Sequence, residues 1–91
     1  MANDYRYNHV KSIWSAEDLK SFNQMFTIIP KSIVSDDLGV NYGRFAKKAN
    51  DPVLFTFKEA LEIADLANIP FRSMVQLMLA DIENSPQYIH R

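Results

Sequence analysis

Cysteine is absent from this 91-residue chain. Disulfide staples, thiolate metal sites and cysteine nucleophiles are therefore excluded, and the composition suits a reducing compartment such as the cytoplasm. Glycine occurs twice and proline four times, so there is no glycine-rich phosphate loop and no low-complexity linker. No apolar run reaches the ~18 residues that could cross a bilayer. The polar start MANDYRYNHVKS lacks the apolar segment of a signal peptide. The expectation is a cytoplasmic protein that does not enter a membrane. Charge of one sign is also missing: the net charge is −1 and the pI about 6.0. That excludes a molecule coated in nucleic-acid-binding charge, but it leaves room for a local basic face. Hydrophobic residues, by contrast, make up 47% of the chain, with six Phe, four Tyr and one Trp. That is enough for one modest core and hence one domain.

Helix punctuation organises this material. Ser15-Ala-Glu-Asp18 has the form of a capping box, with Trp14 and Leu19 placed for a hydrophobic staple. Leu19, Phe22, Phe26 and Ile29 recur at helical spacing, predicting a first helix over about 16–26. Pro30 can open a second helix, in which Ile33, Val34 and Leu38 form the apolar stripe and Gly39 is the terminating residue. Asn41 is a favoured N-cap for a third helix over about 42–49, with Val40 and Phe45 as its staple. Thr56-Phe-Lys-Glu59 is a second, clearer capping box. It opens a helix whose stripe of Phe57, Ala60, Leu61, Ala64 and Ala67, widened by Ile63 and Leu66, predicts packing on more than one side. Phe71, Met74, Val75, Met78, Leu79 and Ile82 mark a fifth helix ending near residue 83. No strand pattern competes, though residues 5–14 are open to an extended conformation or a mobile arm. The expected architecture is all-α: a compact bundle of about five short helices. A domain over 15–84 lies between an extension (1–14) and a tail (85–91) that frays after Pro86.

The join at Leu38-Gly39-Val40-Asn41 carries the functional signal. A sharp turn at Gly between two helices is the requirement of a helix-turn-helix. Close approach of the two arms calls for a small residue, and Ser35 sits four before Gly39. Val34, Leu38, Val40 and Phe45 can anchor both arms, leaving Arg44, Lys47 and Lys48 on the other sides of the second.

These residues, with FTFKEALEIADLANIPFRSMVQLM following them, resemble the helix-turn-helix domain of phage Cro and lambda-repressor type proteins. The resemblance covers roughly 16–80. It implies binding of double-stranded DNA with the start of the third helix in the major groove. Asn41, Tyr42, Gly43 and Arg44 fall where base edges are read, and Lys31 falls where phosphate is contacted. Lys47 and Lys48 are further candidates for phosphates or bases. Arg44 carries most weight, because a bidentate guanidinium matches guanine O6 and N7. The implied activity is transcriptional regulation by site occupancy.

A second class stays open. The acidic balance, Gly43 within the third helix and the Asp36-Asp37 pair suit a protein-interaction or oligomerisation module on the same scaffold. Leu77 falls off the fifth-helix stripe, so it is either an extra core contact or part of a homodimer surface. Catalysis is not expected. His9 and His90 lie near opposite ends with no ligand spacing around them. Asp36 and Asp37, adjacent on a helix, diverge by about 100°. No Ser has a neighbouring base. No catalytic residue, cofactor or metal site is expected.

Overall fold

Tyr7, Val10, Ile13 and Trp14 recur at intervals of three and four, the period of one helix face. In the computed structural model, which describes residues 4–85, they belong to a first helix, α1 (Arg6–Ser15). Asp4 opens it: its Oδ1 accepts from the Arg6 backbone N–H at 2.9 Å, and both oxygens hold the Arg6 guanidinium. Val10 is fully buried and Tyr7 nearly so, while the Tyr7 hydroxyl donates to Asp37 Oδ2 at 2.7 Å. Burial and that bond raise the Tyr7 pKa far above the ordinary phenol value. The expected extended or mobile arm is thus corrected. An amphipathic face that sinks Tyr7 and Val10 into the core gains more than a solvated strand without a sheet partner.

The helix expected over 16–26 is corrected as well. Ser15 ends a helix instead of starting one. Glu17 adopts a left-handed conformation (φ 62°), the Glu17 N–H bonds the Trp14 carbonyl, and the Asp18 N–H bonds the Ile13 carbonyl. These are the two bonds of a Schellman ending. A short helix, α2 (Phe22–Met25), begins only after Ser21, whose hydroxyl accepts from the Gln24 N–H. The same ending closes α3 (Lys31–Leu38) at Gly39, φ 70°, and α5 (Phe57–Ala67) at Asn68, φ 55°. Glu17 is the least suited of the three to that conformation. Glu17→Gly is accordingly expected to stabilise the protein by about 0.5–1 kcal/mol. Urea denaturation reads this directly, and a lowered midpoint would contradict it.

The remaining elements match their sequence signals. Asn41 caps α4 (Tyr42–Asn50) by accepting from the Arg44 N–H. A 3₁₀ turn (Pro52–Leu54) follows. Thr56 and Glu59 form the reciprocal capping box of α5, and α6 runs Phe71–Glu83. The described residues therefore form an all-α globule of six helices with no strand. No helix among them is long and apolar enough to cross a membrane. The tail after Pro86 lies outside the described residues.

Packing puts α5 against α6, α1 against α5, α2 against α6 and α3 against α4. At the centre, Phe22, Phe26, Phe45 and Phe55 form a closed cycle of edge-to-face contacts with centroids 5.1–5.8 Å apart. That geometry adds about 0.5–1.5 kcal/mol per pair beyond burial. Met74, Leu77 and Met78 turn inward from α6, so Leu77 is a core contact and not a dimer surface. Two expected stripes are borne out in part and narrowed here. Phe57 and Leu61 on α5, and Phe71 and Leu79 on α6, lie exposed. Of the α5 stripe, Ala60, Ile63, Ala64 and Ala67 are the members that enter the core.

The Asp4–Arg6 pair sets an acid response. Its hydrogen bonds hold the Asp4 carboxyl at about 2, below the ordinary 3.8. The unfolded chain therefore binds this proton more readily. The stabilisation is present above about pH 4 and lost as pH falls from 3.8 toward about 2. Asp4→Asn is expected to flatten that part of the urea-midpoint profile. A profile unchanged by the substitution would refute the assignment.

Candidate nucleic-acid interface on the fourth helix

Two helices and a three-residue connection build the candidate site. Gly39 adopts φ +70°, with open space where a Cβ would stand. Its requirement is conformational and not steric. Ser35, 1% exposed, faces the close approach and donates its hydroxyl to the Ser32 carbonyl at 3.0 Å. Phe45 and Ala49 bury one side of α4. With 100° per residue, Gly43 and Lys47 then stand on the side opposite the core. Arg44 and Lys48 lie on one flank of it, and Tyr42 on the other.

Among the expected site residues, Asn41, Tyr42, Gly43, Arg44 and Lys47 are exposed, and Lys31 and Lys48 are partly covered. Asn41 is occupied as the α4 cap. A Cβ on residue 43 would come within 3.2 Å of the Asn41 Oδ1, so Gly43 leaves the cap room. Lys31 donates to Asn50 Oδ1 at 3.2 Å and lies over the Phe26 ring, 5.8 Å from its centroid. The start of α3 is thereby brought beside the end of α4. The α4 sequence contains Arg44, Lys47 and Lys48 but no carboxylate, and its two lysines sit in the last turn, where the helix dipole favours cations. Neither Arg44 nor Lys47 forms a salt bridge among the described residues.

Lys48 differs. Its ammonium bonds Glu59 Oε2 at 2.7 Å. Burial acts to raise the Glu59 pKa, but the bonds from Lys48 and from the Thr56 N–H outweigh it, and the carboxyl titrates below its usual range. Glu59 thus closes the capping box of α5 with one oxygen and ties α5 to α4 with the other. A cleft of about 320 Å³ on this flank is lined by Val40, Asn41, Arg44, Lys48, Glu59 and Glu62. The α4 surface is therefore divided. Lys31, Asn50 and Lys47 are bonded to no carboxylate among the described residues, Lys48 is paired with Glu59, and Arg44 forms no salt bridge there but borders the cleft that Glu59 and Glu62 line. Sequence reasoning missed the part played by Glu59. Its capping role is legible three residues from Thr56, whereas its pairing with Lys48 depends on how α4 and α5 pack.

The described residues contain no group of three or more His, Asp or Glu able to hold a metal ion. Of the adjacent acids, Asp37 is bonded to Tyr7. His9 is exposed, and His90 lies outside the described residues.

No family model matches this chain, and no curated protein or solved structure shows significant similarity to it.

Proposed function

We propose that the protein binds double-stranded DNA, with α3, the Gly39-Val40-Asn41 turn and α4 acting as a helix-turn-helix and α4 entering the major groove. The observation that carries this reading is the exposed strip of α4, where Arg44 and Lys47 project from a carboxylate-free helix and form no ion pair with described residues. Arg44 is the base reader, through a bidentate match to guanine. Lys47 and Lys31 bind phosphate. Asn41 and Tyr42 stand at the groove end of the helix, and Gly43 allows the backbone close to the bases. The protein regulates transcription by occupying its site, and it performs no chemistry there.

Fluorescence anisotropy with a pool of random duplexes, at low and at physiological salt, tests the proposal. Binding that weakens as salt rises and enriches a common sequence is the expected result. The Lys48–Glu59 pair and Glu62 favour a second reading, an interaction module that has kept the scaffold without DNA recognition. Absence of binding even at low salt, where non-specific contact is strongest, would select that reading.

A further inference from the structure

Phe57 is the most exposed large hydrophobic side chain of the described residues, at 80%. Among the described residues its ring meets that of Phe71, 6.3 Å away and edge-on. Beside it lies a groove walled by Val53, Phe57, Val75, Met78, Leu79 and Ile82, with a volume of about 160 Å³. Drug-sized ligands occupy roughly 300–1,000 Å³, so the groove is too small for one. A cavity of ~150 Å³ lined by Leu, Ile and Phe, however, accepts benzene. The groove is the size of one aromatic ring. The structure thus places an unburied phenyl knob and a phenyl-sized apolar hole on the same face.

From this knob and hole on one face, we infer that a second copy of this chain docks here, each copy inserting Phe57 into the groove of the other about a two-fold axis. An isologous interface needs one patch to carry both halves of every contact, and this patch does. Val53, Leu61, Phe71 and Leu79 surround Phe57 and are 37–49% exposed. At roughly 150–200 Å² per side chain, the five expose on the order of 450 Å². A standard interface covers about 800 Å² per partner and is about 56–65% apolar, so these five side chains supply the lower end of the apolar area needed. The polar rim fits self-association too. Exposed Lys58 and Arg72 adjoin Phe57 and Phe71, and exposed Asp65 and Glu83 follow Leu61 and Leu79 by one turn. A rim of one sign would repel its copy, whereas this one carries both.

The inference uses none of the α4 cations and stands apart from the DNA reading. If both hold, pairing doubles the phosphate contacts of one complex.

Sedimentation of the full chain from micromolar to sub-millimolar concentration, without DNA, is the test. A reversible monomer–dimer equilibrium is expected, weakened about tenfold or more by Phe57→Asp and by Leu79→Asp. Both side chains are exposed, so far-UV circular dichroism and the melting temperature of the monomer should stay near wild type. In mixed-label NMR, the Phe57 ring of one copy should show contacts to Val75 and Ile82 methyls of the other. A monomer throughout the range overturns the inference, as does a dimer indifferent to Phe57→Asp. Intramolecular contacts from Tyr88 or Ile89 to the groove also overturn it, by assigning that space to the chain's own C-terminal residues.

Discussion

Phe45→Ala is expected to lower stability by about 3–5 kcal/mol, the range for removing a buried aromatic ring together with the cavity it leaves. Phe45 is 2% exposed and contacts the rings of Phe26 and Phe55, each at 5.8 Å. Its loss opens the aromatic cycle at two joints. Walls of the void include the Phe26 ring, just after α2, and the Phe55 ring, just after the 3₁₀ turn. A domain of this size has only about 5–15 kcal/mol to lose, so the melting temperature should fall by more than about 10 °C. Tyr42→Ala on the same helix, exposed in the fold, should change stability by no more than about 0.5 kcal/mol. Chemical denaturation of the two variants side by side decides the matter. A loss below about 1 kcal/mol for Phe45→Ala would mean that α4 is not anchored as described.

The double substitution Arg44→Ala with Lys47→Ala should reduce affinity for a selected duplex by roughly 10²-fold. The fold should be nearly unchanged, because both side chains are exposed and form no salt bridge within it. The two residues contribute differently. A bidentate Arg–guanine contact is worth about 1–3 kcal/mol of discrimination, so Arg44→Ala alone should relax preference at one base position. Lys47→Ala alone should weaken all sequences alike and reduce the salt slope by about 1. Lys48→Ala supplies the contrast. Lys48 is engaged with Glu59, and an ion pair near the surface is worth about 0–1 kcal/mol. Its removal should leave DNA affinity close to wild type. Unchanged binding after the double substitution, in a protein that still melts cooperatively, would withdraw the proposed interface.

Legibility along the chain followed the range of the interactions. Asn41, Thr56, Glu59 and Gly39 were readable because caps and turns join atoms three to five residues apart, and such bonds survive any tertiary arrangement. The same locality misled at Ser15-Ala-Glu-Asp18, where the residue types of a helix start lie at a helix end. That stretch is decided by α1, which forms because Tyr7 and Val10 find a core to enter and Tyr7 finds Asp37 thirty residues away. The candidate site divides in the same manner. Lys31, Arg44, Lys47 and Lys48 could be nominated from their positions around the turn, but their availability could not. A Lys is available or engaged according to which carboxylate the packing brings near, and Lys48 meets Glu59 across two elements.

By itself, then, the sequence determined that the described chain is helical, where α3 to α6 begin and end, and that the α4 segment is basic. Those properties reside in helical periodicity, capping chemistry and the order of charges. Tertiary structure alone decided that residues 6–15 belong to the core, that Lys48 is paired, and which side of α5 and α6 faces inward. Both helices are apolar around a wide arc, so several rotations bury similar area. Contacts from α1, α2 and the aromatic cycle select one rotation, and that selection leaves Phe57, Leu61, Phe71 and Leu79 on the surface.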